Sequence, residues 1–177
     1  MKNIILSTLK ESVDVKDRFI KENIDLIQRV ADILASCITS GHKILIFGNG
    51  GSAADTQHIV AEFVNRFQIE RPPLAALALT TDTSIITSIG NDYHFDDIFF
   101  KQVKALGAKG DVAIGISTSG NSPNVIKAIQ AAKDIGMFSI GLTGSGGRLA
   151  ECVDMVFAVN ADITARIQEA HIMLGHI

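Results

Sequence analysis

The chain has 177 residues, 47% of them apolar and 20% charged, with a formal net charge of −3. Those figures suit one globular domain with a real core, and they exclude a disordered tail, a coiled coil and a basic surface built for nucleic acid or anionic lipid. No apolar run approaches the roughly 20 residues of a membrane span, and Cys37 and Cys152 stand apart with no metal-binding or redox spacing, which suits a reducing cytoplasm.

The first residues, MKNIILSTLKESVDVKD, turn charged too soon for a secretory signal peptide. Over residues 3–40, Phe19, Ile20, Ile24, Ile27, Val30, Ala31 and Leu34 recur at helical spacing, and Gly41 is a natural stop. This predicts one long helix or two broken ones. After Gly41 the rhythm changes. KILIFG (43–48), LAALAL (74–79), VAIGIS (112–117), FSIGLT (138–143) and MVFAVN (155–160) are short apolar runs, each ending near Gly, Ser, Thr or Asn. Helical stretches are predicted between and after them, over 52–66, 82–106, 123–135 and 162–177. Runs apolar throughout suit strands covered on both faces, and alternation with helices implies parallel pairing. The expectation is an α/β fold: a three-layer αβα sandwich with a five-stranded parallel sheet of flavodoxin-like type. It forms a single domain over 1–177 with a helical amino-terminal extension.

Ligands of such sheets gather beyond the carboxyl ends of the strands, and there the polar clusters GNGGS, TSGNS and TGSGG fall. The first loop, GNGGSAAD, is neither a dinucleotide fingerprint nor a Walker loop. Its glycines let backbone N–H groups approach a ligand, and Ser52 is placed to cap the following helix, whose amino end favours an anion. A tight turn with a capping serine explains it equally well. The second loop, STSGNSPN, shifts the balance. Ser117, Thr118, Ser119 and Ser122 crowd between a strand and a helix opened by Pro123. One serine caps a helix, and four hydroxyls exceed that need but suit phosphate oxygens. Together the loops predict a sugar-phosphate site built without lysine or arginine.

His58 and Glu62 lie four residues apart on the predicted helix 52–66, hence on one face. Alone, such a pair reads as a surface contact; beyond a ligand loop at the same helix's amino end, it reads as facing the cavity. GNGGSAADTQHIVAEF with STSGNSPNVIKA resembles the SIS (sugar isomerase) domain, and TARIQEAHIMLGH narrows the resemblance to the phosphoheptose isomerases. The resemblance covers nearly the whole chain. It implies aldose–ketose isomerisation of sedoheptulose 7-phosphate to D-glycero-D-manno-heptose 7-phosphate for surface heptose, in lipopolysaccharide or capsule. It also implies a cytoplasmic homotetramer, with residues 1–40 packing in the oligomer, and one zinc ion per site held by His58, Glu62, Gln168 and His176.

Within that resemblance, Glu62 is the base that moves the proton between adjacent carbons and His176 its acid–base partner. Substrate contacts fall to Asn49, Gly50, Gly51, Ser52, Glu62, Ser117, Thr118, Ser119, Ser122 and Gln168. Asn91 and Asp92 either hold sugar hydroxyls or make a turn between two helices. Arg66 and Arg71 are expected in solvent, with Asp162 and Thr164 opening the last helix. Gln168 and His176 are eight residues apart, about 12 Å of helix rise. One metal reaches both only if the helix bends, the side chains stretch or different subunits contribute, and division between subunits is the expectation. His171 is expected to pack rather than ligate, and His42 and His94 to sit in loops or at the surface. The chain stops just after His176, short of where relatives end, which would put that ligand on a fraying helix end. Two rivals stay open: a non-catalytic SIS module that senses sugar phosphates or binds a replication initiator protein, and another sugar-phosphate isomerase or aminosugar enzyme.

Overall fold

The computed structural model describes residues 1–177. It opens with α1 (Lys2–Thr39), one uninterrupted helix of 38 residues, which resolves the open choice over 3–40. Its buried residues, Val15, Phe19, Val30 and Cys37, lie on the stripe that faces the sheet. Gly41 ends the helix at a φ of +80°, where a side chain would be strained, and turns the chain into the first strand.

Five parallel strands follow in the order β2-β1-β3-β4-β5: β1 (Ile44–Gly48), β2 (Ala76–Ala78), β3 (Val112–Ser117), β4 (Phe138–Thr143) and β5 (Met155–Ala158). Register is continuous, with Ile46 beside Ile114 and Ile114 beside Ile140. Alternation along each strand feeds two cores. Ile44, Ile46, Ile116 and Ile140 face α1, α2 (Gly51–Val64) and α7 (Thr164–His176). Leu45, Phe47 and Ala113 face a second layer, to which Ile89, Phe99, Val103, Val125, Ile129 and Leu149 contribute. Burial on both faces is why these strands carry no polar alternation. No helix is long and apolar enough to cross a membrane.

Three details differ from the sequence expectation. The strand expected over 74–79 shortens to Ala76–Ala78, at the sheet edge where only β1 pairs with it. The helix expected over 82–106 is broken into α3 (Thr83–Asp92), a 3₁₀ turn (Phe95–Asp97) and α4 (Ile98–Leu106). Gly90, Asn91 and Asp92 are weak helix formers, and Asn91 Nδ2 donates to Asp92 Oδ1 at 2.8 Å, so local side-chain bonding competes with the helix there. After α5 (Pro123–Ile135) and β4, a short helix, α6 (Arg148–Cys152), fills a stretch outside the predicted elements.

Candidate active site

Strand β1 delivers the first loop. A methyl group on Gly48 would stand 2.8 Å from the Ile116 carbonyl oxygen and 3.0 Å from Ser52 Cβ, so only glycine allows β1 to pass this closely beneath α2. The cap of α2 is Gly50, at φ +56°, and no side chain bonds there. Ser52, expected to cap, lies inside the helix and is buried, because the chain enters the helical conformation before it reaches the serine. Asn49 is also committed. Its amide pairs reciprocally with that of Asn124, at 2.9 Å in each direction, and so ties the first loop to the start of α5.

The serine loop is knit internally. Ser117 Oγ lies 2.9 Å from Ser122 Oγ and 3.4 Å from Ser119 Oγ. Gly120 packs so tightly on the loop after β4 that an added methyl would sit 2.0 Å from the Gly146 carbonyl oxygen. Backbone bonds from Gly144 N to Thr118 O and from Leu149 N to Gly120 O join the two loops. Between them and the start of α7 opens a polar cavity of about 470 Å³, lined among others by Thr118, Ser119, Ser145, Asp162 and Thr164. Hydroxyls dominate it and no lysine or arginine enters.

Helices α2 and α7 bring the second constellation together. They run side by side in the same direction: Gln168 meets Gly51, Gly175 meets Ile59, and His176 meets His58. His58 Nε2 lies 3.0 Å from Glu62 Oε1 and 3.2 Å from His176 Nε2, and His176 Nε2 lies 3.8 Å from the same carboxylate oxygen. The Phe67 ring stacks on His176 with centroids 5.4 Å apart and planes inclined by 15°, fixing the imidazole from the other side. An ion with ligands at about 2.1 Å in a tetrahedron separates its donor atoms by about 3.4 Å. The three distances bracket that value. Two imidazole nitrogens and one carboxylate oxygen therefore fit a zinc-type centre with a position left for substrate.

All three donors come from one chain. The expected division of His58, Glu62 and His176 between subunits is not needed, because α7 lies parallel to α2 and carries His176 to the level of His58. Gln168 is held one helix start away. A methyl at Gly51 would stand 2.3 Å from its Nε2, so its amide lies against the loop that opens α2, about 10 Å of helix rise before His58. Asn91 and Asp92 are exposed in the last turn of α3, bonded to each other, and do not line the polar cavity.

Arg71, expected in solvent, instead donates to the carbonyls of Glu62 (2.6 Å) and Phe63 (2.8 Å), because the last carbonyls of α2 lack helical partners and favour a cation. Arg66 stays exposed, 3.8 Å from Glu70. His171 is fully buried, its Nε2 on the Thr143 carbonyl at 2.9 Å, and burial lowers its pKa to about 4. It packs rather than ligates, as expected. His42 sits 3.6 Å from buried Asp111.

Two contributors escape sequence reasoning. Asn124 is hidden because nothing in one sequence pairs it with Asn49. Asp55 lies three residues before His58, so helical spacing could have found it. Burial raises the Asp55 pKa, opposed by the nearby charges of His58 and His176.

The SIS domain family profile matches residues 9–144. A phosphoheptose isomerase of Thermodesulfovibrio yellowstonii is 58% identical over 98% of this chain and 87% of its own length. The solved phosphoheptose isomerase of Neisseria gonorrhoeae superposes with a TM-score of 0.92 at 46% identity, covering 99% of this chain and 94% of that one. That of Francisella tularensis superposes at 0.94 with 40% identity, over 98% and 93%. A hydroxyl-lined cavity at the strand tips, a His–Glu–His cluster on the adjoining helices and this degree of likeness lead to one assignment: the chain belongs to the phosphoheptose isomerases of the SIS domain family.

Proposed function

We propose that the protein interconverts sedoheptulose 7-phosphate and D-glycero-D-manno-heptose 7-phosphate, feeding surface heptose synthesis in the cytoplasm. The observation that carries this reading is the meeting of His58, Glu62 and His176 on two helices whose amino ends border the hydroxyl-rich loops. The phosphate binds to Ser117, Thr118, Ser119 and Ser122 and to the free N–H groups at the start of α5, where the helix dipole adds attraction without a formal cation. Gly50 and Gly51 offer backbone N–H groups, Asn49 and Ser52 shape the loop, and Gln168 orients the sugar from α7.

The reaction moves one hydrogen between C1 and C2 and one between their oxygens. Glu62 takes the proton from C1 of the ketose and returns it to C2 of the enediol, and His176 relays the proton between the two oxygens. In this reading the carboxylate's two oxygens have separate tasks. Oε1 is the oxygen held by both imidazoles, whereas Oε2 makes neither contact and is the one that moves the proton. His58, Glu62 and His176 are the residues assigned to a zinc ion, which when bound supplies Lewis-acid polarisation of the carbonyl, while Gln168, expected as a fourth ligand, lies against Gly51 and is left to the sugar.

The molecule acts as a single domain in a tetramer, with residues 1–40 packing against other subunits and sites completed at the subunit borders. Incubation with sedoheptulose 7-phosphate tests the reading. Heptose product from metal-replete enzyme, lost with chelator and regained with zinc, is the expected result. Absence of product under every condition would favour a sensor over an enzyme.

A further inference from the structure

The half-buried Asn49 and the buried Asn124 belong to two different loops of the site. Asn49 follows the last residue of β1, and Asn124 is the second residue of α5, the helix that follows β3. Strands β1 and β3 are neighbours in the sheet, so the loops that leave them lie side by side. Across that border each amide donates one N–H to the other, at 2.9 Å both ways. A third bond gives the pair a direction. The backbone N–H of Val125 donates to Asn124 Oδ1 at 2.9 Å, which fixes the oxygen end of that amide and, through it, the nitrogen end of Asn49. An amide carries two N–H donors and two lone pairs on its oxygen. Asn124 Oδ1 has both lone pairs filled, by Asn49 and Val125, whereas Asn49 keeps one N–H and one lone pair uncommitted.

A residue that merely helped α5 to start would need only the Val125 contact. The reciprocal pair goes further, because it holds the one carboxamide of the first loop. We infer that Asn124 is a positioning residue for the isomerisation: it turns the Asn49 amide so that the remaining N–H and lone pair are presented to the sugar. Asn124 is only 2% exposed, so it acts through Asn49 rather than on the substrate. The start of α5, assigned to the phosphate, thereby sets the orientation of a sugar contact on the loop after β1, and the two ends of the substrate meet one connected unit. A contact oriented before binding spares the complex the cost of ordering it. The inference rests on reading these loops as the sugar-phosphate site, with Asn49 as a sugar contact.

A double-mutant cycle on kcat/KM for heptose formation by the full-length protein tests this. Turnover of sedoheptulose 7-phosphate by the wild type, with a loss of about 2- to 10-fold in Asn49→Ala, establishes the site and the Asn49 contact without reference to Asn124. Asn124→Ala is then expected to lose a similar factor. The double variant should be no worse than Asn49→Ala alone, because Asn124 has nothing left to orient. Inorganic phosphate should inhibit both Asn49→Ala and Asn124→Ala as strongly as it inhibits the wild type, which separates a turned amide from a damaged phosphate loop. Wild-type kcat/KM in Asn124→Ala overturns the inference and leaves the proposed function standing. So does a double variant in which the two losses multiply, or weakened inhibition by phosphate in Asn124→Ala; either marks a residue that only shapes the loop. If Asn124→Ala does not fold, Asn124→Leu, which fills the space of the amide, takes its place in the cycle with the same outcomes. An inactive wild type removes the proposed function, whereas Asn49→Ala at wild-type kcat/KM removes the sugar contact alone; the inference falls in both cases, for distinguishable reasons.

Discussion

In the proposed reaction Glu62 carries the proton: its Oε1 lies 3.0 Å from the His58 imidazole and 3.8 Å from that of His176, and its other oxygen makes neither contact. Glu62→Gln preserves shape but removes the base. We expect kcat to fall by about 10²- to 10⁴-fold, measured by heptose formation at saturating substrate, with phosphate binding retained. His171 makes a different prediction. Burial sets its pKa at about 4 in the folded protein against 6.5 for the free side chain. The unfolded chain therefore binds the extra proton between those values. The stabilising contribution of the neutral ring is complete above about pH 6.5 and is lost as pH falls towards 4, a change on the order of 3 kcal/mol. Urea midpoints between pH 7.5 and 4.5 should show this loss. His171→Leu should flatten the profile while lowering stability at neutral pH, since the Thr143 carbonyl then loses its partner.

At the scale of elements, the pairing of α2 with α7 builds the candidate site, and the Gln168 amide of α7 lies against Gly51 of α2. The Gly51 backbone is helical, so alanine should help α2 by up to about 1 kcal/mol. The same methyl displaces the Gln168 amide. Gly51→Ala is thus expected to melt no lower than the wild type yet to raise KM several-fold, a split that thermal melts and steady-state kinetics would reveal. The sheet and most helices were legible in the sequence because strands buried on both faces leave unbroken apolar runs and because α1, α2 and α5 end at glycine, polar residues or a proline-marked turn. The break after Asp92 was not, since Ile85, Ile86 and Ile89 keep helical spacing into α4 and only the weak helix formers at 90–92 interrupt it. Of the site, the His58–Glu62 pair and the four hydroxyls were readable from spacing. His176 required a family resemblance, because the sequence separation of 118 residues from His58 carries no geometric signal.

For the whole molecule, the amino-terminal half of α1 exposes Ile4, Ile5, Leu6, Leu9 and Val13. If this stripe packs against other subunits, Leu9→Glu should shift the protein to smaller species in light scattering at micromolar concentration, with specific activity falling alongside. The position of His176 sets a second expectation. Mixing Glu62→Gln chains with His176→Ala chains should restore no activity, because each intact cluster needs both residues from the same polypeptide; recovery in mixed oligomers would mean that α7 is exchanged between neighbours.

The reciprocal amide pair between Asn49 and Asn124 bears on chemical ageing. Asn49 precedes Gly50, the sequence context in which asparagine most readily cyclises and deamidates. Held by both ends of its amide, Asn49 is kept from attack by the glycine nitrogen. Conversion to aspartate would also leave the Asn124 oxygen facing an acid beside a loop meant for anions. Enzyme stored warm should therefore keep Asn49 intact as long as it stays folded, and peptide mapping of Asn124→Ala should find aspartate and isoaspartate accumulating there first.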